Sequence, residues 1–168
     1  MLVQPLSAHD LAAALAIQAE AYPAFLREDG PAFASRLTMD ASYCLAAIDD
    51  GILVAYLLAH GWPSRSPPPI GAILPASAAS EILYLHDLAV SAVGRGAGIG
   101  RALVRRAFAL AAGDGLAAAE LIAVEGAAPY WASLGFQPIA TSPALATKIA
   151  AYGPDACLMQ RALAAPPL

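Results

Sequence analysis

Residues 91–106, "SAVGRGAGIGRALVRR", place Gly94, Gly96, Gly98 and Gly100 at every second position and then enter a helix-like pattern. Glycine is a weak helix former, so such density must serve another purpose. A strand that turns through glycines into a helix exposes unpaired N–H groups at the positive end of the helix dipole. Bare backbone lets a ligand come close and lets successive N–H groups aim at one point. That chemistry suits a phosphate or a pyrophosphate. Arg95, Arg101, Arg105 and Arg106 fall in the same stretch, which holds no acid. Outside it, five basic residues face thirteen acidic ones, a balance of −8 within a total of −4. The chain as a whole would repel nucleic acid, whereas this cluster would attract a small polyanion.

Neither common nucleotide motif fits. For G-x-G-x-x-G, counting from Gly96 puts Arg101 at the third glycine, and counting from Gly94 puts Ile99 there. A P-loop needs a lysine after its last glycine, and Lys148 is the only lysine in the chain.

The surrounding pattern is mixed α/β. Leu2 to Leu6 read as a strand. Ser7 and Asp10 form a capping pair for a helix running to about Ala21. Pro31 to Met39 suggest a short second helix. "SYCLAAI" and "ILVAYLLA" form a hairpin about the Asp50-Gly51 turn. The proline-rich segment after Trp62 is a long loop that either covers a site or wraps the sheet. "EILYLHDLAV" is a strand ending at Val90, followed by the glycine loop and a helix from Ile99 to about Ala112. "AAELIAV" is a buried strand, "APYWASL" a short helix, "FQPIA" a strand, and "ACLMQRAL" a closing strand after a further loop. "AAPPL", residues 164–168, reads as an unstructured end.

Arg95-Gly96-Ala97-Gly98-Ile99-Gly100 resembles the Arg/Gln-x-x-Gly-x-Gly/Ala loop of the GNAT superfamily of N-acetyltransferases. Its context matches as well: "LAV" at a strand end upstream, a helix behind, another strand, then "PYWASLGF", similar to the family's "FYxxLGF" element. The resemblance implies one domain over residues 1–168. Its expected core is a mixed, mostly antiparallel twisted sheet of about seven strands flanked by about four helices. It also implies acetyl-coenzyme A as donor. The pyrophosphate would rest on Arg95, Gly96, Ala97, Gly98, Ile99, Gly100 and Arg101. The pantetheine arm would add to the strand end at Leu88, Ala89 and Val90, where the fourth and fifth strands splay.

Acetyl transfer to an amine needs a base, an oxyanion donor and a proton for the departing thiolate. An alkyl ammonium has a pKa of about 10, so its proton must be taken away. A histidine, with an ordinary pKa of about 6.5, is largely neutral and able to accept it. His86 is the expected base, and plain alternation puts it on one strand face with Tyr84 and Leu88, leaving Asp87 on the other. The resemblance implies a backbone N–H near Leu88 as oxyanion donor. The family's usual acid position holds Trp131, and indole is no practical acid, so Tyr130 is the candidate. Glu125 stands near where many members carry an asparagine. For the acceptor, Tyr22 and Phe25 offer apolar walls, with Tyr84 alongside. Glu28 is a partner for a cation, although a solvated acidic loop is the plainer reading of "LREDG".

The implied function is transfer of acetyl to the primary amine of a small molecule. A protein N-acetyltransferase and a catalytically weak acyl-coenzyme A sensor are the alternatives. No metal is expected: Cys44 and Cys157 lack metal-type spacing and read as reduced, buried side chains. "MLVQPL" lacks a basic leader and the longest strand-like apolar run has eight residues, Ile52–Ala59, against about 18 for a membrane span. A cytoplasmic protein without membrane or nucleic-acid partners is therefore expected, with monomer and homodimer both open.

Overall fold

A computed structural model describes residues 1–164. The expected unstructured end lies outside them except for Ala164. Seven strands form one open sheet: β1 (Leu2–Pro5), β2 (Leu45–Asp49), β3 (Ile52–Trp62), β4 (Ile82–Val90), β5 (Ala118–Ala123), β6 (Gln137–Pro138) and β7 (Cys157–Ala162). Their order is β1-β2-β3-β4-β5-β7-β6. Every adjacent pair is antiparallel except β4 with β5.

Five helices accompany the sheet: α1 (Leu11–Ala21), α2 (Gly30–Leu37), α3 (Ile99–Gly113), α4 (Ala128–Ser133) and α5 (Pro143–Ala150). Local chemistry sets their starts. Asp10 Oδ2 accepts from both the N–H and the hydroxyl of Ser7 at 2.9 Å, closing a 3₁₀ turn that runs into α1. Asp29 accepts from Ala32 N–H at 2.9 Å to open α2. The stretch expected as plain loop before β7 contains α5, with Ser142 accepting from Leu145 N–H at 3.2 Å and Pro143 in the first turn.

The sheet divides the core in two. One face packs Leu57, Ala59, Leu83, Leu85 and Leu121 against Leu103, Val104 and Ala107 of α3. The other packs Tyr56, Leu58 and Ala46 against α1 and α2, where Phe33 meets Tyr56 edge-on at 5.1 Å.

Two irregularities in β4 shape the site. Leu58 pairs with Asp87 but Ala59 pairs with Leu85, so His86 is an extra residue with no partner across the ladder. Such a bulge breaks alternation. Its consequence corrects the plain-alternation reading. His86 shares Tyr84's face as expected, but Asp87 is on that face too, reaching Tyr56, and Leu88 turns to the α3 face. Further on, β4 and β5 pair only at Leu83↔Ala119 and Tyr84↔Glu120 and then diverge. The rest of β4, to Val90, therefore borders an open gap.

Candidate active site

The glycine loop forms the outer part of the site. Gly96 and Gly98 adopt φ of +84° and +72°, angles that L side chains rarely take. Gly94 N–H donates to Ser91, and the next backbone donor in the stretch to find a backbone acceptor is Ala102, which reaches Gly98. Among the described residues no backbone acceptor meets the N–H groups between them, Arg95 to Arg101, at the start of α3. A Cβ on Gly100 would stand 3.1 Å from the Tyr130 hydroxyl and 3.4 Å from Leu88 Cδ2, so only glycine leaves that floor open. These residues line a cavity of about 350 Å³ with Leu88, Val90, Gly94, Arg95, Ile99, Arg101 and Tyr130. Arg101 reaches Ser133 Oγ at 3.3 Å, and Arg105 and Arg106 are exposed.

A second cavity, of about 340 Å³, fills the splay between β4 and β5. It shares Leu88, Val90 and Arg95 with the first, so the two meet along the end of β4. Tyr22, Glu28, Tyr84, His86, Ala89 and Trp131 line it, as do Asp87, Glu125 and Tyr152. Phe25 is not among its walls; the adjacent Leu26 is, while the Phe25 ring lies against Gly153. Tyr130 and Trp131 meet edge-on at 5.1 Å but serve different walls: Tyr130 lines the glycine-loop cavity, and Trp131 is buried edge-on to Phe136 at 5.7 Å.

Behind the second cavity sits a buried triangle. His86 Nε2 lies 2.9 Å from Glu28 Oε1 and 3.1 Å from Arg36 Nη2, and Arg36 donates to Glu28 at 3.3 Å. The solvated reading of the acidic loop is thus corrected for Glu28, which is 6% exposed, while Arg36 is fully enclosed. Gln18 positions Glu28 by exchanging two 2.9 Å hydrogen bonds with its backbone. Burial pushes the Glu28 carboxyl upward, but the His86 hydrogen bond and the Arg36 charge help hold it below its usual range. For His86 burial dominates and lowers the pKa against the raising effect of Glu28. With Nε2–H donated to Glu28, Nδ1 is left without a partner. The sequence signal for Arg36 was its spacing from Ala32 and Phe33, which puts it on the buried stripe of α2.

Asp87 adjoins this triangle. Its Oδ2 accepts from Tyr56 at 2.5 Å, and Oδ1 is buried without a partner among the described residues. Burial pushes the carboxyl up to about 6, against the lowering effect of the Tyr56 and Tyr22 hydroxyls. Tyr22 donates to the Leu88 carbonyl at 2.7 Å, which fixes the strand at the seam between the cavities.

The long loop after Trp62 does both things expected of it. Glu120 in β5 accepts from Ser64 Oγ at 2.6 Å and Arg65 N–H at 2.9 Å, tying the loop to the sheet. Further along, Gly71 N–H donates to Glu28 Oε2 at 2.7 Å, Ala72 O accepts from Arg36, and Pro68 O accepts from the Tyr152 hydroxyl. With Phe25 on Gly153, three segments clasp one another over the inner cavity. Among the described residues no cluster of three or more His, Cys, Asp and Glu could hold a metal ion, and no helix is long and apolar enough to cross a membrane.

The architecture has known counterparts. The ribosomal-protein-S18-alanine N-acetyltransferase of Escherichia coli superposes with a TM-score of 0.72 at 18% identity, over 99% of this chain and 96% of that one. Rv2747 of Mycobacterium tuberculosis, solved in complex with CoA, gives 0.73 at 16% identity over 98% and 100%. The aminoglycoside 6′-N-acetyltransferase AAC(6′)-IG of Acinetobacter haemolyticus gives 0.62 at 19% over 84% and 94%. At these identities the likeness concerns the fold. No curated protein matches the sequence. The model of the Acetyltransferase (GNAT) family matches residues 11–136, three quarters of the chain, and this protein belongs to that family.

Proposed function

We propose that the protein transfers an acetyl group from acetyl-CoA to the primary amine of a small molecule. The observation that carries this reading is the run of N–H groups from Arg95 to Arg101 without an acceptor among the described residues, next to the end of β4 that β5 leaves uncovered. The residues fit the coenzyme on the protein's own terms: an anion cradle, a floor kept open by Gly100, and strand-edge backbone at Leu88 and Val90 able to receive an extended amide-bearing arm. Bound there, acetyl-CoA would supply an activated thioester.

The amine nitrogen attacks the thioester carbonyl carbon, the C–S bond breaks, and the thiolate departs. His86 is the proposed acceptor of the amine's proton through Nδ1, oriented by Nε2–H on Glu28. Free backbone N–H at the β4 seam would stabilise the oxyanion. Tyr130, whose hydroxyl lies over Gly100 beside the cradle, is the proposed donor to the thiolate. The clasp of Tyr152 on Pro68, Glu28 on Gly71 and Phe25 on Gly153 favours a small acceptor over a protein chain, which would need a groove open at both ends.

The test is a calorimetric titration with acetyl-CoA followed by thiol release over a panel of amines. Binding with release supports the enzyme; binding without release on any amine favours an acyl-CoA sensor. Absence of binding overturns the reading.

A further inference from the structure

We propose that Asp87 binds the ammonium group of the acceptor, which is a primary amine carried on an apolar alkyl or aryl body. This deepens the acyltransferase reading and rests on it. The bulge at His86 turns two consecutive side chains, His86 and Asp87, to one face, and both residues line one cavity. A proton acceptor and an anion thus stand side by side, which regular alternation would forbid.

Asp87 is half-used. Tyr56 holds Oδ2, while Oδ1 is buried and has no donor. A buried carboxylate oxygen without a donor is costly, and a cation in the adjoining cavity relieves that cost. The groups facing it are the hydroxyls of Tyr22 and Tyr56, His86, and the charges of Glu28 and Arg36. Arg36 is already matched by Glu28, so the Asp87 charge is left for a ligand. The other walls there are Tyr22, Leu26, Ile70, Tyr84 and Tyr152, which suit an apolar body. Leu88, the next residue along β4, is shared with the coenzyme cavity.

The experiment compares wild type with Asp87→Asn, which keeps an acceptor for Tyr56. Hexylamine and 2-phenylethylamine serve as acceptors in thiol release, and acetyl-CoA affinity is read by calorimetry. The expected result is a rise in amine KM of about tenfold or more, the usual scale for a charged hydrogen bond, with acetyl-CoA affinity unchanged. An unchanged amine KM overturns the proposal. Should the variant fail to fold, wild type decides alone: saturated with CoA, it must bind 2-phenylethylamine at least about tenfold more tightly than 2-phenylethanol. Equal binding overturns the proposal. If acetyl-CoA binds but neither amine is acetylated, the substrate class falls while the coenzyme reading stands. If acetyl-CoA does not bind, the reading beneath it falls first.

Discussion

The imidazole of His86 meets the carboxylate of Glu28 at 2.9 Å although 58 residues separate them in sequence. The contact joins the bulged strand β4 to the link between α1 and α2, and Gly71 N–H seals it from the long loop. Arg36 stands 3.1 Å from the same imidazole nitrogen. A positive group so near opposes protonation of the ring, while Glu28 orients it. The triangle therefore does two jobs: it keeps His86 neutral and directed, and it neutralises a cation with no access to water.

That arrangement sets the pH behaviour expected of the enzyme. His86 must shed its proton before it can accept one, and its pKa is lowered from 6.5. Accordingly kcat, read at saturating amine, should rise as pH climbs through a value below 6.5 and then level off. His86→Gln should flatten that rise and lower the plateau about a hundredfold. A surviving rise in the variant would assign the proton to another group. Steady-state thiol release from pH 5 to 8 reads both.

The same triangle governs stability. Glu28→Ala leaves the Arg36 guanidinium fully enclosed without its carboxylate, a loss of about 3–5 kcal/mol. Urea denaturation should show it as a lower midpoint. Replacing exposed Asp29, whose role is to cap α2, should cost only about 1 kcal/mol.

Much of this was legible in the chain and some was not. The glycine loop announces itself because four glycines and four arginines are neighbours in sequence, and the Asp50-Gly51 hairpin because turn chemistry is local. The positions of Asp87 and Leu88 were not legible. A bulge arises from the register between β3 and β4, and nothing within "YLHDLAV" records the extra residue. The burial of Glu28 likewise depends on Gln18, Arg36 and Gly71, each supplied by a different segment. Helix α5 was overlooked although Ser142-Pro143 is a start signal, because its "LATKIAAYG" continuation carries little apolar stripe and only Ile149 is buried.

His60 gives a second pH-dependent term. Burial, with the nearby His86, lowers its pKa from 6.5 to about 3. Below pH 6.5 the unfolded chain takes a proton that the folded protein refuses, so this contribution to stability is complete above 6.5 and is lost as pH falls toward 3. Asp87, raised to about 6, takes its proton in the folded state and partly offsets the loss. His60→Leu removes only the histidine term. Its unfolding free energy should fall less steeply than wild type between pH 6.5 and 5, by about one proton, or roughly 1.4 kcal/mol per pH unit. Parallel curves would mean that His60 is protonated in the folded protein.

Two glycines of the loop should separate binding from packing. Gly98→Val forces a branched side chain into φ of +72° beside open space, so it should weaken acetyl-CoA binding tenfold or more at a stability cost of about 1–2 kcal/mol. Gly94→Ala presses a methyl to within 3.2 Å of Ile99 and Val90 and 3.3 Å of the Val54 carbonyl. Its main effect should be a lower melting temperature. Calorimetry and thermal melts on both variants distinguish these outcomes, and equal loss of affinity in the two would deny the loop a direct role.

The clasp over the inner cavity makes the last prediction. Tyr152 lines the cavity and also donates to the Pro68 carbonyl, so one hydroxyl joins the α5–β7 link to the long loop. Tyr152→Phe keeps the ring and removes the hydroxyl that holds Pro68 and neighbours the Tyr84 hydroxyl, a loss of about 1 kcal/mol. Glu28 on Gly71 and Phe25 on Gly153 still hold the other junctions, so the fold should persist. What should change is acceptor size. The kcat/KM ratio for a short peptide amine over hexylamine should rise several-fold, because a loosened junction lets a longer body leave through the gap. If the ratio stays fixed while hexylamine turnover drops, Tyr152 touches the acceptor itself and the limit on size lies deeper, at Leu26 and Ile70.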